Sequence, residues 1–118
     1  MESNFNTSLE IVEFAQQEQL YDSLLLQLSK DFALANAPLD FPKEIGPKEV
    51  KSLLHEKIYF LILEKFQNYL NLLYIVDIPE QEIKKLTTLD AVDASSVVCF
   101  LILKREWQKV WFRHKYNS

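Results

Sequence analysis

IYFLILEKFQNYLNLLYIV, residues 58–76, decides the fold. Its apolar ends, YFLIL and LLYIV, each have the composition of a buried strand. A strand, however, is bounded by turn residues within about eight positions, and no Gly or Pro interrupts the chain between Lys48 and Tyr74. Read with a helical period, Ile58, Ile62, Phe66, Tyr69 and Leu73 share one face, opposite Glu64, Gln67, Asn68 and Asn71. The stretch therefore predicts one long helix over 48–75, with Pro47 in its first turn.

On the N-terminal side, NAPLDFPKEIGP (36–47) holds three of the four prolines and the only glycine. It is expected to be an extended connection, because proline ends a helix and glycine favours turns. Before it, Thr7 and Glu10 have the spacing of a capping box. Apolar residues then recur at Ile11, Phe14, Tyr21, Leu25, Leu28 and Phe32, which predicts a helix over 8–35.

On the C-terminal side, Pro79 restricts Ile78 and ends the long helix. Asp77 with Glu80 forms a second capping pair for a short helix over 79–88. Asp90 or Asp93 then caps a last helix over 93–115, whose stripe is Phe100, Leu103, Trp107, Val110, Trp111 and His114. Lys104, Arg105, Lys109, Arg113 and Lys115 occupy the rest of its circumference, with Phe112 the one aromatic residue on the basic side. The expected fold is all-α: one domain over 1–118, an elongated up-and-down bundle of three long helices and one short one.

Composition agrees with that class. Among 118 residues, 48% are hydrophobic and 25% charged, so a core of its own is within reach of the chain. The net charge of −4 gives no overall attraction to nucleic acid or an acidic membrane. Charge is nonetheless uneven: residues 1–46 carry eight acids against Lys30 and Lys43, while Glu106 is the lone acid among the five cations of 104–118. An acidic first helix beside a basic last one would answer each other's field. No apolar run approaches the roughly 20 residues of a membrane span. With a single cysteine, Cys99, and no readable signal peptide, the expected location is cytoplasmic.

Two segments, VVCFLIL (97–103) and residues 58–63, are apolar nearly all the way round. A helix apolar on every side is buried on every side, so self-association into a homodimer is expected. The expected interaction surface is an apolar patch of Phe100, Leu103, Trp107 and Trp111, with Lys104, Arg105, Lys109 and Arg113 as rim charges. An unidentified protein partner fits the same reading.

Catalytic motifs are missing. One glycine cannot make a phosphate loop, and no Gly-x-Ser-x-Gly, Cys-x-x-Cys or His-Glu-x-x-His occurs. Cys99, inside an apolar run, reads as a core thiol. Glu18 and His55 are the polar residues that fall on apolar faces. A ligand- or metal-binding bundle of ferritin-like shape would use such residues, but it needs Glu-x-x-His, and Ser52 and Trp111 stand three before His55 and His114. No cofactor, metal site or catalytic residue is therefore assigned. The leading expectation is a non-enzymatic interaction or assembly module; metal or ligand binding is the first alternative, and nucleic-acid binding by the basic last helix the second.

Overall fold

The computed structural model describes residues 4–117, and every regular element within them is helical. The order is α1 (Ser8–Gln17), α2 (Tyr21–Leu34), α3 (Pro47–Glu64), α4 (Phe66–Val76), α5 (Glu80–Lys85), a 3₁₀ turn (Leu86–Thr88) and α6 (Ala91–Asn117). The all-α bundle is as expected, but two of its three long helices are each broken in two.

The first break follows from chain-end chemistry that the sequence hides. At the end of α1, Gln19 N–H donates to the Gln16 carbonyl and Leu20 N–H to the Ala15 carbonyl, with Gln19 left-handed at φ 61°. This is a Schellman ending, normally built on glycine. The same pair of bonds closes α2 at Asn36 (φ 58°) and α4 at Asp77 (φ 75°). In each case the next residue, Leu20, Ala37 or Ile78, is apolar and buried. Burial of that residue offsets the left-handed conformation of the one before it. Asp77 thus ends α4 instead of capping α5, whose N-cap is Pro79 with no side-chain bond.

The second break is at Lys65, where φ −140° and ψ 58° interrupt the helix for one residue. A straight helix from Pro47 to Val76 would be about 45 Å long, longer than the 39 Å major axis of the molecule. Breaking at Lys65 turns α4 so that Leu72, Leu73 and Val76 are buried against α2 and α6. The expectation of an elongated bundle is corrected accordingly: the radius of gyration is 13.5 Å, and a compact chain of this length has about 13.5 Å.

The helix starts read from sequence at Thr7 and Pro47, and at Asp90 of the two candidates for the last helix, fall where expected. Glu10 N–H donates to Thr7 Oγ1 (3.2 Å) while Thr7 N–H donates to Glu10 Oε1 (2.9 Å). Gly46 N–H donates to Glu49 Oε1 ahead of Pro47, and Asp93 N–H donates to Asp90 Oδ1 (2.8 Å), so Asp90 is the cap of α6. The 36–47 connection is extended as predicted, and Leu39, Phe41 and Ile45 fold back onto the core.

At about 1.5 Å per residue, α6 alone spans the long axis. It is the central element, packed by α1, α2, α3 and α4. Val98, Cys99, Ile102, Leu103, Trp107 and Val110 are buried in the single core. The apolar run 97–103 is therefore covered largely by the chain itself, and the inference that this run requires a second subunit is withdrawn. Breaking two helices in two supplied enough walls to surround it.

Candidate functional site

Two carboxyl groups are buried together in the interface of α2 and α6. Glu106 has 0% and Asp31 4% of its surface exposed. The Lys109 ammonium, one turn beyond Glu106, stands 2.8 Å from Asp31 Oδ2 and 2.8 Å from Glu106 Oε1. Gln27 donates to Asp31 (3.2 Å) and accepts from the Arg113 guanidinium (2.9 Å). The acidic early helix and the basic last helix do answer one another, but through an enclosed cluster.

One ammonium cannot neutralise two buried carboxylates, so one of them keeps its proton. Burial pushes the Glu106 carboxyl up to about 8, and the neighbouring Asp31 adds to the rise against the opposing pull of Lys109. Burial also works against the charged form of Asp31, yet hydrogen bonds from Glu106, Lys109 and Gln27 outweigh it and hold that carboxyl below its ordinary value. For Lys109, burial opposes the charge, and Asp31 and Glu106 overcome it to raise the ammonium above its usual range. At neutral pH Glu106 is therefore the neutral acid of the pair and Asp31 the carboxylate. Such a set resembles acid–base machinery, but Glu106 has no exposed surface and Asp31 almost none. It links α2 to α6.

The residues singled out from sequence lie elsewhere. Glu18 is exposed at the C-terminal end of α1, because that helix stops where the apolar stripe was expected to continue. His55, half-buried on α3, is 2.8 Å from Ser95 Oγ on α6. Ser95 spends its own hydroxyl proton on the Val92 carbonyl (2.8 Å), so His55 Nε2 is the donor and the pair does not form a nucleophile with its base. Among the described residues no three His, Cys, Asp or Glu side chains converge as a metal site would require. Cys99 is buried, and its thiol is pushed up to about 11 by that burial.

The expected interaction patch is corrected too. Leu103 and Trp107 belong to the core, and Phe100 and Trp111 are half-buried against it. Trp107 stacks edge-on with Phe14 (5.6 Å) and lies 6.0 Å from Trp111. Three of the four rim cations are engaged within the chain: Arg105 with Asp77 (3.3 Å), Lys109 with Asp31 and Glu106, and Arg113 with Gln27. Lys104 alone is exposed without such a contact among the described residues.

One row of exposed apolar side chains runs along α3 and α4, while Leu26 and Leu34 on α2 and Val92, Phe112 and Tyr116 on α6 are exposed elsewhere. Tyr59, Phe60, Leu63 (53% exposed), Phe66 (54%), Leu70 and Tyr74 (86%) follow one another there. Tyr59 and Leu63 stand one turn apart on α3, and Phe66 and Leu70 one turn apart on α4, so the seam is two short apolar edges, one on each side of the break at Lys65. The break at Lys65 is what exposes Phe66, which an unbroken helix would have placed on the same buried face as Tyr69. Beside the seam is an apolar groove of about 380 Å³, walled by Ile62, Phe66, Leu70, Ile83, Leu86 and Leu89. The signal was legible in the all-round apolarity of 58–63.

Among the described residues no helix is long and apolar enough to cross a membrane. Set against known protein families, curated proteins and solved structures, the chain matches none of them.

Proposed function

We propose that the chain is a non-enzymatic interaction and assembly module that works by self-association, with the α3–α4 seam as its docking face. The supporting observation is the row of exposed aromatic and aliphatic side chains from Tyr59 to Tyr74 on α3 and α4, with an apolar groove at Phe66 and Leu70. Scattered exposed hydrophobics need no explanation, whereas a contiguous patch marks a surface that is covered in use. Fully burying a side chain such as Leu63 or Phe66 is worth roughly 1.5–3 kcal/mol, so a few of them suffice to hold a partner. The buried carboxyl cluster supports the non-enzymatic part, since the only acid–base constellation described above is sealed. A cytoplasmic location belongs to the same proposal, in keeping with a lone, buried thiol.

The test is the mass in solution by light scattering at micromolar concentration. The expected value is twice the 13.9 kDa chain, falling to one chain for Leu63→Asp or Phe66→Asp with the circular dichroism spectrum unchanged. A wild-type chain that stays monomeric across the accessible concentration range sinks the reading.

A second reading has one observation in its favour. On the last turns of α6, Phe112 and Tyr116 are exposed and stacked, 5.9 Å apart at 7°, with the Lys115 ammonium 5.7 Å from the Tyr116 ring. Flat rings beside a cation are the parts of a single-strand nucleic-acid platform. Binding of mixed-sequence single-stranded DNA or RNA that weakens steeply with salt, and is lost in Phe112→Ala, supports it; no binding at low salt removes it.

A further inference from the structure

Resting on the self-association reading, we propose that the occupant of the seam is a second copy of this chain, laid antiparallel across α3 about a two-fold axis near Phe60. Two reciprocal ion pairs, each between Lys57 and the partner's Glu64, fix that arrangement. The argument begins with the flank of the seam. On a helix turning about 100° per residue, Lys57 and Glu64 lie about 60° and about 40° from Phe60 on one side, and Tyr59 lies about 100° from it on the other. Both charged residues are within α3, seven positions apart, ahead of the break at Lys65. Lys57 and Glu64 therefore form one edge of the apolar strip, and that edge carries one charge of each sign.

Neither charge makes an ion pair among the described residues. The ion pairs among the described residues are Lys85–Glu82, Arg105–Asp77, Lys109–Asp31 and Lys109–Glu106. The Lys57 ammonium instead lies 5.9 Å from the centre of the exposed Phe60 ring, at the rim of the apolar surface. A cation and a carboxylate two turns apart on the edge of an apolar strip supply the parts of a polar rim.

Orientation follows from which edges meet. In a parallel pair of helices, the edge bearing Lys57 faces the opposite edge of its neighbour, the one bearing Tyr59, and the charges find nothing. In an antiparallel pair like edges face one another with the chain direction reversed. Lys57 then stands against the partner's Glu64, and Glu64 against the partner's Lys57. The same register sets Phe60 against the partner's Leu63, within about half a turn of the charge register, so the apolar and ionic requirements agree. Such an interface is isologous and closes at two copies, leaving no free seam to propagate a fibre.

Sedimentation equilibrium on the full chain, with Lys57→Glu, Glu64→Lys and the double variant, tests the arrangement. Each single reversal places like charges opposite one another twice per dimer and is expected to weaken self-association about tenfold. The double variant, with both pairs re-formed in reverse, is expected to return to within about twofold of wild type. Because both positions are on the surface, the melting curves report whether the variants fold. If the wild-type chain dimerises but single reversals have no effect, or the double variant is as weak as the singles, the antiparallel α3 arrangement is wrong and the self-association reading stands. If wild type and variants alike are monomers at every concentration, both fall.

Discussion

The Lys109 ammonium on α6 stands 2.8 Å from the Asp31 carboxylate on α2, inside the protein and not on its surface. Seventy-eight residues of chain separate the two, so this contact is made only when the last helix has docked. It draws Glu106 in with it, and the proton that Glu106 keeps is the price of burying three ionisable groups together.

That proton makes stability depend on pH with a definite sign. Glu106 titrates at about 8 in the folded protein against an ordinary 4.5. Between those limits the folded chain binds a proton that the unfolded chain has released. The stability it contributes is thus fully present below the ordinary value and is lost as pH rises through about 8, by up to about 1.4 kcal/mol per pH unit. Asp31 works the other way, since its folded value is depressed: its contribution is present above the ordinary range and disappears as pH falls below it. Melting temperature is therefore expected to peak in mildly acidic buffer and decline towards pH 8, and Glu106→Gln is expected to flatten that decline. A wild-type melting temperature that does not change between pH 5 and pH 8 contradicts the shared-proton account.

Removing the cation tests the same cluster from its other side. Lys109→Met leaves the Asp31 carboxylate buried without its counter-ion, which should cost about 3–5 kcal/mol in urea unfolding. Lys104→Met, on the exposed side of the same helix, should stay within about 0.5 kcal/mol. Adding Asp31→Asn to Lys109→Met should recover much of the loss, because the stranded charge is gone; additive losses would show that the two groups do not interact.

The helix ends offer a gain in place of a loss. Gln19 is left-handed at φ 61°, a conformation costing roughly 1–2 kcal/mol for a residue with a β-carbon. Gln19→Gly relieves it at the position where glycine is normally found, while adding some unfolded-state entropy. The expected net effect is a stabilisation of about 0.5–1 kcal/mol, a rise of a few degrees in melting temperature. Asn36→Gly should gain less, since asparagine tolerates the same region better. A drop in stability for Gln19→Gly would refute the Schellman assignment of this turn.

These ends also show what was legible in the sequence. Helix starts were read correctly at Thr7, Pro47 and Asp90, whereas Asp77, read as a cap of the short helix, ends α4. The breaks at Gln19 and Lys65 carry no capping side chain or proline. The first is dictated by burial of Leu20, and the second by the need to turn Leu72, Leu73 and Val76 inward, both long-range demands that override local propensity. The buried carboxyls were missed for a related reason. Asp31 and Glu106 each look like ordinary surface acids until α2 and α6 are laid together, whereas Glu18, suspicious on a continuous helix, became harmless once that helix ended. The exposed row was half visible, in the all-round apolarity of 58–63, whereas of the patch expected on α6 Leu103 and Trp107 are in the core and Phe100 and Trp111 are half-buried against it.

Trp107 separates those two roles by experiment. Its side chain is buried against Phe14 and Trp111, and its indole N–H has no acceptor among the described residues. Trp107→Ala opens a cavity and should cost about 3–5 kcal/mol. Trp107→Phe also removes the unsatisfied donor, an offset to the lost volume, and should cost clearly less. Leu63→Asp should do the reverse of both: near-normal melting of the monomer together with loss of self-association. If Trp107→Phe weakens the dimer while leaving stability intact, the working surface lies on α6 after all, and the α3–α4 seam is merely exposed. If it lowers stability and spares the dimer, then Trp107 acts through the core, and the exposed row from Tyr59 to Tyr74 remains the surface on which partners are chosen.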